Sequence, residues 1–272
     1  MVEELVKAVF DEALARGASR VIIAEGPGHR RATLDLADAA GYFDLMPQFE
    51  RSFVDLNLDE VHQTVIRRPQ SKLVSIYLPK TILGCDLLIS LAKMKTHHWV
   101  GATLSMKNLF GIVPGNVYGW PKNVLHWAGI PEYIVDLQWV VPNQFAIVDG
   151  IVAMEGNGPI LGTAKPAGVV VAGRSPVGVD TVCCQFGGLN PARVSYLRLA
   201  SHLDRHSTAP QFEIGESPGP SISPFVLPSG MEDLRSATSV IGPGWLLSSN
   251  KTLPMMGTLT QAPSWRKLAS AS

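Results

Sequence analysis

Charge is scarce in this 272-residue chain, and what there is cancels: 17% of residues are Asp, Glu, Lys or Arg, with 23 basic against 23 acidic. A zero balance takes nucleic acid and anionic membrane surfaces off the list of expected partners. Cysteine is scarcer still. Cys85, Cys183 and Cys184 form no CxxC pair, so neither a disulfide framework nor an iron–sulfur cluster is expected. No apolar run approaches the roughly eighteen residues of a membrane span. The opening stretch, "MVEELVKAVFDEALARGASR", carries acids at once and lacks an apolar signal core. There is no G-x-S-x-G elbow and no H-E-x-x-H pair, so serine-hydrolase and zincin chemistry lose support. What remains is a globular, cytoplasmic protein with 46% hydrophobic residues, enough for a sizeable core.

Periodicity then organises the chain. Leu5, Val6, Val9, Phe10, Ala13 and Leu14 recur at helical spacing, with Gly17 placed as a C-terminal cap. "RVIIAEG" reads as a buried strand, "TLDLADAAGY" as a helix with Thr33 at its N-cap, and "VSIYLP" and "CDLLISLAKM" as further strands. "IPEYIVDLQWVV" reads as a helix, "FAIVDGIVAM" and "AGVVVAGRS" as buried strands, and "VGVDTVCCQFGGL" and "ARVSYLRLASHL" as the last helices. The alternation predicts an α/β fold: a largely parallel sheet with helices on both faces, in one domain over residues 1–212. Residues 213–272, rich in Pro, Ser and Gly, are expected to form an irregular tail or arm.

Ligands gather at the carboxyl ends of strands in such sheets, and three polar clusters fall there. "EGPGHRR" offers a glycine turn, His29 for proton movement, and Arg30 and Arg31 for a carboxylate or phosphate; an ordinary strand-to-helix loop with a surface histidine is the plain alternative. In "LAKMKTHHWVGATLSMKNLFGIVPG", Lys93 and Lys95 alternate and so share one side of an extended chain. His97, His98, Lys107 and Asn108 follow, with His126 further on in "VLHW". Histidine and lysine are readily tuned to titrate near neutrality, and paired imidazoles also suit a transition metal. Solvated lysines and a loop covered by His97 and Trp99 would be the bland reading. "DGIVAMEGNGP" adds Asp149, Glu155 and Asn157, where the acids would neutralise the lysines, bind Mg²⁺ or orient a histidine, or merely flank a glycine turn. Cys183 and Cys184 read as core packing, His202 and His206 as a helix end rather than a metal pair, and His62 as nothing specific.

Together "LAKMKTHHWVGATLSMKNLFGIVPG", "IVDGIVAMEGNGP" and "VVVAGRSPVGVDTV" resemble the family known as domain of unknown function 362, over about residues 20 to 215. A more distant resemblance is to the nickel-pincer lactate racemases. "PGHRR", "THHWVG", "MKNLFGIVPG" and "VLHW" follow the order of that family's glycine–histidine–arginine turn, histidine turn, cofactor lysine and further histidine. That likeness implies proton-transfer positions for His29 and His97 or His98, the cofactor position for Lys107, and a metal-ligand position for His126. The chain departs from the racemases in having "LSM" before Lys107, where they carry a glycine triplet. Relatives also begin with a further strand and a basic, proline-containing loop, so either the sheet is expected to be one strand short at this end, or a partner or the tail is expected to fill that place.

These readings combine into one expectation. The protein is a small-molecule enzyme working on an anionic, carboxylate-type substrate as a racemase, isomerase or related oxidoreductase. His29, His97, His98 and Lys107 would move protons; Arg30, Lys93, Lys95, Asn108 and Asn157 would bind substrate. His126, Asp149 and Glu155 would serve a nickel-type transition metal or Mg²⁺. The alternative is a non-catalytic anion- or metal-binding protein. A second copy of the chain is the one macromolecular partner admitted.

Overall fold

The computed structural model describes residues 2–28, 31–120, 123–141, 143–203 and 223–235. Ten helices are described: α1 (Val2–Ala15), α2 (Thr33–Ala39), α3 (Tyr42–Leu45), α4 (Phe49–Ser52), α5 (Lys80–Leu83), α6 (Ser105–Asn108), α7 (Gly115–Tyr118), α8 (Asn123–Val140), α9 (Pro176–Phe186) and α10 (Ser195–Leu203). Eight strands accompany them: β1 (Ile23–Glu25), β2 (Phe53–Asp55), β3 (Val61–Val65), β4 (Ser75–Pro79), β5 (Leu88–His97), β6 (Gly101–Thr103), β7 (Gln144–Asn157) and β8 (Leu161–Gly173).

Helices and strands mix as expected, but the sheet is not largely parallel. The four-stranded sheet has the order β6-β5-β7-β8, and within it only β5 and β7 run parallel; β6 and β8 are antiparallel to their neighbours. β1 and β2 form a separate parallel pair, and β3 and β4 an antiparallel one. The two apolar runs that become β7 and β8 are the arms of one long hairpin rather than separate parallel strands. An apolar run of this kind does not specify direction. In β8 it does not specify full burial either: the run expected as a buried strand buries Val169, while Val170 on the opposite face is 47% exposed. "DGIVAMEGNGP" is likewise strand as far as Asn157, not a loop after a strand. Asp149 Oδ1 accepts the Ile151 N–H at 2.9 Å across a register shift, and β7 then continues.

The main core lies against the even-numbered side of β5, where Leu88, Ala92 and Met94 meet Val148, Leu104, Met106 and Tyr133. A smaller cluster of Phe10, Ala37, Met46 and Phe49 packs α1 to α4 together. Thr33 is the first residue of α2 rather than its cap; its hydroxyl donates to Asp55 at 2.5 Å and ties α2 to β2.

Residues 223–235 pack against the body. Val226 N donates to Glu155 and its carbonyl accepts from Gly156 N, Phe225 N donates to the Gly187 carbonyl, and the Leu234 carbonyl accepts from Asn190 N. Phe225 and Leu234 are buried in the core. The rest of the expected arm lies outside the described residues.

Candidate functional site

On β5 the odd-numbered side chains Leu91, Lys93, Lys95 and His97 share one face, as the period of a strand requires. The lysines on that face differ in their partners. Lys93 donates to Asp149 at 2.5 Å, with the Asp149 carboxylate fully buried on the neighbouring strand. Lys95, one rung further along, has no ion-pair partner among the described residues. Burial lowers its pKa, the charge of Lys93 lowers it further, and Glu25 at the end of β1 works against both. The chain brings Glu25 close because Gly26 sits against the Gly111 carbonyl, where any Cβ would stand 2.7 Å away.

The third lysine of the site, Lys107, sits on the one-turn helix α6. Burial lowers its pKa to about 8, with Lys95 adding to the effect. Its Nζ lies 5.0 Å from the centre of the Phe110 ring, its one contact with a charge-stabilising group among the described residues. The helix behind it is strongly tethered. Asp180, fully buried on α9, accepts from Ser105 N (2.8 Å), Ser105 Oγ (2.5 Å), Met106 N (3.1 Å) and Tyr196 Oη (3.4 Å). Burial still outweighs these donors and raises the Asp180 pKa to about 7. Asn108 donates to Ser90 Oγ and the Leu91 carbonyl, both at 3.2 Å, so its amide joins α6 to β5.

His97 and His98 leave β5 stacked, with ring centres 5.1 Å apart, and their hydrogen bonds give them opposite tautomers. His97 Nδ1 accepts the Trp99 N–H at 3.0 Å, so a neutral His97 carries its proton on Nε2. Burial, together with Lys107 and the neighbouring histidines, pushes its pKa down to about 3, so it stays neutral. His98 Nδ1 faces the Gly158 carbonyl at 2.8 Å and must donate to it, which leaves the Nε2 lone pair of the neutral ring unprotonated. That same carbonyl accepts the His98 N–H at 3.0 Å. The approach needs glycine: a Cβ on residue 158 would lie 2.1 Å from the Thr96 carbonyl oxygen. His126, from α8, meets Trp99 and Phe110 edge-on at 5.6 Å each.

Thus Lys93, Lys95, His97, His98, Lys107, Asn108 and His126 come together, while Glu155 and Asn157 are engaged elsewhere. Glu155 pairs with Lys165 at 3.3 Å and accepts from Val226 N; Asn157 Oδ1 accepts from Ser229 N at 2.8 Å. His29 and Arg30 lie outside the described residues. The expected metal ligands do not fit a shared ion. Both Asp149 oxygens are used by Lys93 and Ile151, Glu155 binds residues 223–235, and no three His, Cys, Asp or Glu side chains converge on a metal position among the described residues. Three contributors carry no clear signal of this role in the sequence: Glu25 sits among the glycines of "EGPGHRR", Asp180 lies in "VGVDTV" with no local clue to its partner, and Trp99 reads as a loop cover.

The sequence profile of the DUF362 family, a domain of unknown function, matches residues 2–185. A thylakoid-associated protein of Synechocystis sp. is 31% identical over 137 residues, which is 48% of this chain and 42% of that protein. The chain thus aligns with about two-fifths of that relative. No solved structure matches the chain significantly. No helix among the described residues is long and apolar enough to cross a membrane.

Proposed function

The chain belongs to the DUF362 family, and we propose that it is a small-molecule enzyme that binds a carboxylate-type anion at Lys95 and Lys107 and exchanges a proton with it. The observation carrying this reading is the pair of largely buried lysines without a carboxylate partner among the described residues, beside a histidine whose Nδ1 is committed to the Gly158 carbonyl so that Nε2 is its accepting nitrogen in the neutral ring. An unpaired buried charge is costly, so a site that retains two is suited to an anion.

The chemistry follows from the protonation states. At pH 7 Lys107, with its pKa near 8, is mostly an ammonium but yields its proton more easily than an ordinary lysine. His98 Nε2 takes the proton α to the carboxylate, the electron pair moves into the carboxylate, and Lys95 holds the charge that develops there. Lys107 returns a proton to the enolate, and the proton now on His98 passes through solvent to restore the Lys107 ammonium. Delivery to the same carbon from the opposite face gives racemisation; delivery to another atom of a conjugated enolate gives isomerisation. His97, neutral, offers its Nε2–H as a donor.

The test is solvent exchange. Small 2-substituted carboxylates are incubated with the protein in D₂O and the α-proton is followed by NMR. Exchange that disappears in Lys107→Met and His98→Gln supports the enzyme. Binding of these anions without exchange makes the protein a non-catalytic anion binder, and absence of binding removes the site itself.

A further inference from the structure

The two lysines recognise only the charged end of a ligand. Beside them stands a surface of another kind. Trp99 is 60% exposed, although tryptophan is buried for the most part in folded proteins. Its indole meets the His98 ring edge at 5.0 Å and the His126 ring at 5.6 Å. His126 meets Phe110 at 5.6 Å, and Lys107 lies over the Phe110 ring. Ring contacts therefore run without a break from the largely buried ammonium to an exposed indole. Trp127 and Trp139 are exposed as well, but neither makes a ring contact with these histidines among the described residues.

The backbone at Trp99 is fixed by its N–H bond to His97 Nδ1, and the His98 ring beside it by the Gly158 carbonyl. The indole is thus held at the edge of the site by elements that also set the histidine tautomers. The hairpin turn that follows Gly158 exposes two further apolar side chains, Ile160 at 73% and Leu161 at 82%.

We propose that the ligand is an arylcarboxylate. Its carboxylate is held at Lys95 and Lys107, and a single aromatic ring lies against Trp99 and the edge of His126. Aromatic rings favour such edge and offset contacts over simple alkyl packing. This inference rests on the anion site proposed above and adds the apolar half of the ligand.

Calorimetric titration of the full chain with acetate, phenylacetate, hexanoate and 2-phenylethanol tests it. Phenylacetate is expected to bind at least about tenfold more tightly than acetate or hexanoate, a gain that aromatic contacts can supply. Neutral 2-phenylethanol is expected not to bind measurably. Trp99→Ala should bring phenylacetate to the level of acetate, Trp99→Phe should keep most of the preference, and Lys107→Met should lose both anions. The indole is on the surface and its fixed contact is through the backbone, so these Trp99 variants should fold. Equal binding of acetate and phenylacetate, hexanoate binding as tightly as phenylacetate, or a preference that survives Trp99→Ala overturns the aryl proposal while leaving the anion site standing. If no carboxylate binds, the anion site fails and this inference with it.

Discussion

On its Asp180 side, helix α6 is matched bond for bond: the free N–H groups of Ser105 and Met106 and the Ser105 hydroxyl all end on one buried carboxylate. On its other side the Lys107 ammonium faces Lys95 and the face of Phe110, and no carboxylate among the described residues pairs with it. The same contrast recurs along β5, where Lys93 is paired with Asp149 and Lys95, on the next rung, is not. The matched side holds the unmatched side in place. A charge that lowers stability persists when the surrounding hydrogen bonds fix its position, as at many functional sites.

The contrast can be broken most severely from the matched side. Asp180→Ala leaves two buried N–H groups without an acceptor and should destabilise the fold by about 3–5 kcal/mol, read by urea unfolding. Lys93→Met strands the buried Asp149 carboxylate and should cost about 3 kcal/mol or more. Lys107→Met should do the opposite, raising stability by about 1–3 kcal/mol while abolishing anion binding.

The pH dependence sharpens this sign. The pKa of Lys107 falls from 10.5 to about 8 in the fold, so between those values the unfolded chain holds more protons and stability rises with pH. The penalty is complete below pH 8 and fades toward pH 10.5, so the advantage of Lys107→Met should shrink across that window. A smaller effect is expected at the outer support. Asn157→Ala removes the contacts to Ser229 and should cost about 1 kcal/mol, with slightly weaker anion binding because the neighbouring Gly158 carbonyl holds His98. A destabilising Lys107→Met would erase the distinction between the two sides.

Much of the site's front was legible in the sequence. The alternation of Lys93 and Lys95 follows from the period of a strand, and the crowding of His97, His98 and Lys107 into a short apolar stretch marked the place. Its back was not. Asp180 lies 75 residues from Ser105, and nothing local tells that their side chains meet. Glu155 and Asn157 looked like ligands because residues 223–235, which use them, read as a Pro- and Ser-rich tail. The mixed sheet is not legible in the sequence for a related reason: strand direction is set by how the β7–β8 hairpin closes, and the pattern of apolar residues carries no direction.

The most direct test is the titration of Lys107 itself. Lysine side-chain amines labelled with ¹³C and ¹⁵N can be followed by NMR from pH 6 to 11, with Lys107→Met as the assignment control. One ammonium titrating near pH 8, absent from the variant and displaced to higher pH by a bound carboxylate, is the expected result. A Lys107 that titrates near 10.5 with or without carboxylate would mean a solvated or paired side chain, and the unmatched charge on which the site rests would not exist.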